Sequence, residues 1–175
     1  MEHLMEKFVS SKEIYNGKII KVHLDTVLLP NNNEATREVV DHPGAVAVVP
    51  ILDDGSIVLV KQYRYPVDKV TLEIPAGKLD YNEDPDDCVV RELREETGYQ
   101  AKEMNRITSI YTAPGFSNEI IHIYIARKLV MGEVCLDEDE FVDVDIYKPE
   151  EIRVMINKGI INDAKTLTGL LLAGV

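Results

Sequence analysis

The segment at residues 77–99, GKLDYNEDPDDCVVRELREETGY, constrains the fold of this chain more than any other part. Asp84 is a favourable N-cap residue, and Pro85 suits the first position of a helix. Gly98 suits the position after the last helical residue, because glycine adopts a left-handed conformation without strain. The segment therefore predicts a helix over residues 85–97, with both ends encoded locally.

Three glutamates of this predicted helix share one face. Glu92, Glu95 and Glu96 stand at i, i+3 and i+4, so they span about 100° of arc. Like charges at this spacing repel each other, and a hard divalent cation such as Mg²⁺ binds carboxylate oxygens and offsets the repulsion. The spacing alone leaves a second interpretation open, in which the glutamates form a solvated acidic face.

The rest of the sequence alternates short apolar runs with turn residues and predicts an α/β fold. The continuous apolar run at 45–52 is typical of a strand covered on both faces. A break at 42–44 separates a small N-terminal β unit, residues 1–43, from a mixed α/β core, residues 44–175. The predicted strands are 18–29, 35–41, 45–52, 56–63, 70–74, 106–112, 119–127 and 141–147, and the later helices are 149–157 and 163–173, the last capped by Asn162.

The charge balance narrows the class of partner. The 175 residues contain 19 Lys and Arg against 31 Asp and Glu, a formal net charge of −12. Nucleic acids and anionic membranes bind basic surfaces, so the composition argues against both as partners. Cys88 and Cys135 are too few for a disulfide framework, and no apolar run reaches the length of a membrane span. We therefore expect a cytoplasmic protein.

Nine positions of the glutamate-bearing segment fit the pattern G-x5-E-x7-R-E-U-x-E-E-x-G-U, in which U is an apolar residue. This segment resembles the Nudix box, and every fixed position is filled, by Gly77, Glu83, Arg91, Glu92, Leu93, Glu95, Glu96, Gly98 and Tyr99. The resemblance implies the Nudix fold, a mixed β-sheet in an α/β/α sandwich. It also implies hydrolysis of a nucleoside diphosphate linked to another group, with two or three ions of Mg²⁺, or of Mn²⁺ in its place, in each active site.

Segments outside the box narrow the resemblance to one subfamily. Pro114 lies sixteen residues after Gly98, within YTAPGFSNE, as in the ADP-ribose pyrophosphatases of the Nudix family. The resemblance extends over nearly the whole chain and is closest to the bacterial enzymes, on the segments KQYR at 61–64, LEIPAG at 72–77 and DEDEF at 137–141. It implies hydrolysis of ADP-ribose to AMP and ribose 5-phosphate.

The same resemblance assigns metal ligands. It implies that the backbone carbonyl of Ala76 binds metal together with the box glutamates Glu92, Glu95 and Glu96. These are oxygen ligands, which suit a hard cation.

The acidic run at residues 137–140 is the predicted source of the general base. Glu138 matches the family's base best, and Glu140 is the expected metal-facing residue of that loop. The assignment within the run stays open, because four consecutive acids give the alignment no landmark. Glu95 is the alternative catalytic residue.

Four further residues are predicted to bind substrate. Arg64 follows an apolar strand, and its planar guanidinium suits a diphosphate. Arg37 of the N-terminal unit is a second candidate, and Gly115 and Glu119 flank the turn after Pro114, with Glu119 placed to bind ribose hydroxyls. The resemblance also implies a homodimer, in which the unit at 1–43 is swapped between the two copies and completes the partner's pocket.

Two rival functions remain at this stage. The first is a Nudix pyrophosphatase for another substrate, such as a dinucleoside polyphosphate, a GDP-sugar or a coenzyme. The second is a sensing module that binds ADP-ribose without cleaving it. Such a module should have lost box glutamates, and none is lost here.

Overall fold

The structure is a computed structural model that describes residues 2–132 and 141–175. Within these residues the chain forms ten strands and three α-helices. Their order is β1 (Lys7–Asn16), β2 (Lys21–Leu28), β3 (Glu34–Asp41), β4 (Ala45–Pro50), β5 (Ile57–Arg64), β6 (Lys69–Glu73), β7 (Ala76–Lys78), α1 (Pro85–Thr97), β8 (Tyr99–Tyr111), β9 (Ile120–Met131), β10 (Val142–Tyr147), α2 (Pro149–Asn157) and α3 (Ala164–Ala173). No helix in this described part combines the length and the apolar character needed to cross a membrane.

The chain divides into two compact units. The first contains residues 1–44 together with 111–120, and the second contains 45–110 and 121–175. In the first unit, strands β1, β2 and β3 form an antiparallel sheet in that order. The segment 111–120 joins this unit through β3, where the Val40 N–H donates to the Phe116 carbonyl at 2.7 Å. The expected division into domains of 1–43 and 44–175, with a role for each, stays a prediction.

The second unit contains two sheets, one ordered β10-β5-β6 and the other β7-β4-β9-β8. Strand β4 lies parallel to β9 and is buried along its whole length, as its apolar sequence predicts. Its alternate side chains enter two separate apolar clusters. Ala45, Ala47 and Val49 pack in the cluster that contains residues of α2 and α3, whereas Val46 and Val48 pack in the cluster that contains residues of α1. This layering confirms the predicted α/β/α sandwich.

The predicted helix of the glutamate segment is confirmed, and its ends are those that the sequence encodes. The Asp84 carboxylate accepts a hydrogen bond from the Asp86 N–H at 2.8 Å, which caps the first turn. Gly98 has φ +74° and its N–H donates to the Arg94 carbonyl at 2.8 Å. Both ends of α1 are therefore fixed by local hydrogen bonds, and this fixes which residues, the three glutamates included, are helical.

The expected cap of the last helix is wrong by one residue. Asp163, not Asn162, precedes α3, and its carboxylate accepts from the Thr166 N–H at 2.9 Å and from the Thr166 hydroxyl at 2.6 Å. A carboxylate is also favoured over an amide at the positive end of the helix dipole. The cap consequently places a charged group beside Lys165, at a Nζ–Oδ2 distance of 3.0 Å.

Candidate active site

Arg91 on α1 gathers three carboxylates. Its Nε and Nη2 donate to the two oxygens of Glu83, both at 2.9 Å, and its Nη1 donates to Glu92 at 2.7 Å and to Glu95 at 2.9 Å. The hydrogen bond from Arg91 holds the pKa of Glu83 at about 2. Arg91 therefore orients three neighbouring carboxylates through charge-assisted hydrogen bonds.

Gly77 lies where the backbone approaches Glu92 closely. It belongs to the short strand β7 and pairs with Val46 of β4. A Cβ placed on Gly77 would overlap the Glu92 carboxylate. Glu92 is only 7% exposed, and glycine is the one residue that leaves room for its carboxylate.

Glu96 joins α1 to the same strand. Its Oε2 accepts a hydrogen bond from the Ala76 N–H at 3.0 Å, and the residue is 3% exposed. The structure therefore brings together the predicted metal-binding residues Ala76, Glu92, Glu95 and Glu96, through direct contacts with each other, with Gly77 and with Arg91.

A second charged group surrounds Glu73, which is 2% exposed at the end of β6. Arg64 donates from Nε to Glu73 Oε1 at 2.9 Å and from Nη2 to Oε2 at 2.7 Å. The Thr71 hydroxyl donates to Oε1 at 2.6 Å, and the Lys165 ammonium donates to Oε2. Burial raises the pKa of Glu73, but these hydrogen bonds and the charge of Lys165 outweigh it and hold the pKa at about 2.

This low pKa predicts an acid-labile contribution to stability. An ordinary glutamate has a pKa of 4.5, so the Glu73 contribution is complete above that pH and is lost as the pH falls towards 2. We expect it to be about 3 kcal/mol, from the size of the shift. Urea unfolding at pH 5, 4 and 3 should show a shallower acid dependence in Glu73→Gln than in the unmodified chain. The same dependence in both proteins would contradict this prediction.

Three predicted substrate residues belong to the first unit. Arg37 on β3 forms an ion pair with Glu6. Glu119 accepts from the Thr112 hydroxyl at 2.5 Å, and its other oxygen lies 3.6 Å from His42 Nδ1. Gly115 lies in the turn between Thr112 and Glu119, and a Cβ placed on it would meet nothing within 4 Å. Glu138 and Glu140, with the rest of residues 133–140, lie outside the described residues.

Two protein-family models together match most of the chain. The NUDIX domain model matches residues 41–169, and the model of the nucleoside diphosphate sugar hydrolase N-terminal domain matches residues 6–40. The chain belongs to the Nudix family. It is a hydrolase of that family, and the segment with Gly77, Arg91 and the three glutamates is its Nudix box.

Relatives of this Nudix chain span nearly its full length. The ADP-ribose pyrophosphatase of Bacillus subtilis is 45% identical over 95% of this chain and 91% of its own. A methanol dehydrogenase activator of Bacillus methanolicus is 46% identical over 93% of this chain and 89% of its own. A solved ADP compounds hydrolase has a TM-score of 0.85 at 20% identity and covers 97% of this chain and 92% of its own, which confirms the fold.

Nudix hydrolases generally use Mg²⁺, and the donor chemistry of this box suits that ion. Glu92 and Glu96 are buried carboxylates on one helical face, and a cation offsets the cost of burying them. In residues 2–132 and 141–175, no three side chains of His, Cys, Asp or Glu converge as a ready-made metal cluster. In this arrangement Arg91 supplies positive charge to Glu92 and Glu95.

Sequence reasoning missed the role of Glu73 and Lys165 in this Nudix hydrolase. A signal was available, since Glu73 interrupts the otherwise apolar run Leu72-Glu73-Ile74. A charged residue within a buried strand needs a partner of opposite charge. The partner Lys165 is 92 residues away in the chain, and only the fold brings the two together.

Proposed function

We propose that this chain hydrolyses the pyrophosphate bond of ADP-ribose, and of related nucleoside diphosphate sugars, to AMP and ribose 5-phosphate. The observation that carries the proposal is 45% identity over 95% of the chain to a relative named ADP-ribose pyrophosphatase, in a chain whose box glutamates are all present. The relative at 46% identity carries a different name, so a direct assay of substrates is required.

We assign four ligands to Mg²⁺, which are the Ala76 carbonyl, Glu92, Glu95 and Glu96. We expect two or three ions. Mg²⁺ held by these residues would polarise the phosphorus, acidify the attacking water and stabilise the leaving phosphate. Glu138 accepts the proton of the attacking water, whose oxygen forms the new bond to phosphorus as the bridging P–O bond breaks. Glu95 is the alternative base.

Arg64 binds the diphosphate, because a guanidinium donates two parallel hydrogen bonds to phosphate oxygens. Arg37, Gly115 and Glu119 are the other substrate contacts that we assign, with Glu119 accepting from ribose hydroxyls. The exposure of the two side chains supports this role, because the Arg64 side chain is 40% exposed and that of its partner Glu73 is 2% exposed. Part of the Arg64 side chain therefore stays exposed although its partner is buried.

A substrate screen tests this proposal. The chain is assayed with Mg²⁺ against ADP-ribose, ADP-glucose, GDP-mannose, NADH and diadenosine polyphosphates, with the products separated by chromatography. The proposal predicts the highest kcat/KM for ADP-ribose. A higher value for a diadenosine polyphosphate, a GDP-sugar or NADH would replace it with the corresponding pyrophosphatase. Binding of ADP-ribose without turnover would favour the sensing module instead.

The assignment of the general base gives a separate prediction. Glu138→Gln should lower kcat by about 10²–10⁴-fold with little change in KM, the usual effect of losing a general base. Glu140→Gln should raise the Mg²⁺ concentration needed for half-maximal rate. Rates of both variants across a Mg²⁺ titration distinguish the roles. Recovery of Glu138→Gln at high Mg²⁺ would reverse the two assignments, and full activity in both would move the base to Glu95.

We also expect a homodimer formed through the N-terminal unit. Strand β1 is exposed along its whole length, including the apolar side chains of Phe8 at 67%, Ile14 at 56% and Tyr15 at 56%. Exposed apolar side chains on one strand are typical of an interface. Light scattering at micromolar concentration should give twice the chain mass of 19.7 kDa, and Phe8→Asp should reduce it. A mass of 19.7 kDa for the unmodified chain would refute the dimer.

A second candidate function follows from the relative named methanol dehydrogenase activator. If this chain acts in the same way, its addition to a methanol dehydrogenase raises the rate of methanol oxidation. The rate with and without the chain, and with Glu96→Gln in its place, tests this candidate.

The cytoplasmic location expected from the sequence also stays a prediction, which cell fractionation tests.

A further inference from the structure

Glu73 occupies one edge of the Arg64 guanidinium and leaves the other edge available. An arginine has five N–H donors in a fixed plane, and two of them, on Nε and Nη2, point at Glu73. Nη1 donates to no residue in the part of the chain that the structure describes. Three donors therefore remain for a ligand, and two of them, one on Nη1 and one on Nη2, form the free edge of the guanidinium.

The Glu73 carboxylate, which accepts both hydrogen bonds from Arg64, is held in place by other residues. Glu73 accepts from Thr71 on its own strand and from Lys165 on α3. Lys165 in turn contacts Asp163, the cap of α3. The hydroxyl of Thr166, which donates to the same cap, accepts the Ile74 N–H at 3.0 Å and so ties the end of β6 to the helix. The carboxylate therefore has little freedom to follow the arginine.

The Arg64 guanidinium is influenced by a charge of the Nudix box. The hydrogen bond to Glu73 raises the pKa of Arg64, and the charge of Glu96 adds to the increase. Glu96 is one of the residues assigned to Mg²⁺, so the guanidinium lies within electrostatic range of the metal-binding face. An unrestrained arginine side chain loses rotamer entropy when it binds a ligand, and a restrained one loses less.

We propose that Glu73, held by Lys165 and Thr71, is a positioning residue that fixes Arg64 with its Nη1–Nη2 edge towards the diphosphate of the substrate. This inference rests on the proposed function, because it takes the Arg64 ligand to be a nucleoside diphosphate. Glu73 does not itself contact the substrate. Its contribution is the geometry of the arginine, so it acts on substrate binding and leaves the chemical step largely unchanged.

A purely structural ion pair would give a different result from a positioning pair. Loss of a structural pair lowers stability and leaves KM unchanged. Loss of a positioning residue raises KM, and the effect disappears once Arg64 is removed, because there is no longer a guanidinium to position. A double-mutant cycle on KM therefore separates the two roles.

The experiment measures kcat and KM for ADP-ribose at saturating Mg²⁺, with melting temperature in parallel, for Glu73→Gln, Arg64→Ala and the double variant. We expect Glu73→Gln to raise KM about tenfold with less than about threefold change in kcat, the usual worth of a charge-assisted hydrogen bond. In the Arg64→Ala background, Glu73→Gln should not raise KM further. Ile152→Val, a fully buried change in α2, is the control for destabilisation and should leave KM unchanged.

Thr71→Val keeps the test valid if Glu73→Gln does not fold. It removes one donor to Glu73 without changing the size of the side chain, and it should raise KM a few-fold only when Arg64 is present. Equal increases in KM with and without Arg64, or a lower melting temperature with unchanged KM, would overturn the inference. An unmodified chain that does not hydrolyse ADP-ribose would instead overturn the proposed function, so the two failures are distinguishable.

Discussion

Glu96→Gln should lose about 10³-fold or more of the ADP-ribose hydrolase activity while keeping the fold. A glutamine keeps the size of the side chain and an oxygen that accepts the Ala76 N–H, so the link between α1 and β7 is retained. It loses the charge that binds a cation, and the metal supplies several kcal/mol of the stabilisation of the transition state. The melting temperature should be unchanged or higher, because one of three neighbouring negative charges is removed.

The measurement is steady-state kcat at saturating Mg²⁺ together with thermal unfolding. Glu103→Gln is the matched control, since Glu103 is 42% exposed on β8 and, among residues 2–132 and 141–175, forms an ion pair only with the exposed Lys128. That substitution should leave activity unchanged. Activity of Glu96→Gln comparable to that of the control would show that Glu96 is not a metal ligand.

Gly77→Ala is the second change with a large expected effect. The added Cβ would overlap the buried Glu92 carboxylate, which Arg91 holds in place. Either the carboxylate leaves Arg91 or β7 moves away from β4, and both outcomes displace a residue assigned to Mg²⁺. We expect about 10²-fold lower activity and a loss of about 1–3 kcal/mol in the free energy of unfolding, as for other overpacked sites.

Gly55→Ala separates the loss of activity expected for Gly77→Ala from its loss of stability. Gly55 has φ +85° in a turn, and a Cβ placed there would meet nothing within 4 Å. Gly55→Ala should therefore cost about 1–2 kcal/mol through backbone strain alone and leave kcat/KM unchanged. If Gly77→Ala had the activity of Gly55→Ala, the close approach of Gly77 to Glu92 would have no functional role.

Local signals explain what the sequence predicted well. Helix α1 was predictable because Asp84 and Gly98 encode its ends, and β4 was predictable because it is buried on both faces. The grouping of the box glutamates followed from their helical spacing and from the resemblance. Each of these features depends on a signal contained in one short segment of the sequence.

The features that were missed depend on exposure or on distant partners. Strand β1 has no buried face, so its sequence carries no alternation of apolar and polar residues. The first half of β8 was missed because residues 99–105, YQAKEMN, contain no β-branched side chain, whereas the predicted second half contains three. The pair of Glu73 and Lys165 required the fold itself, because no local pattern indicates which lysine meets a buried glutamate.

The central claim is that the Nudix box of this chain cleaves ADP-ribose with the help of Mg²⁺. The most direct measurement is the amount of AMP and ribose 5-phosphate formed from ADP-ribose by the unmodified chain and by Glu96→Gln, each with Mg²⁺ and with a chelator. We predict equal amounts of the two products from the unmodified chain with Mg²⁺, and almost none in the other three reactions. Absence of AMP in the first reaction, or equal product from Glu96→Gln, would contradict the account.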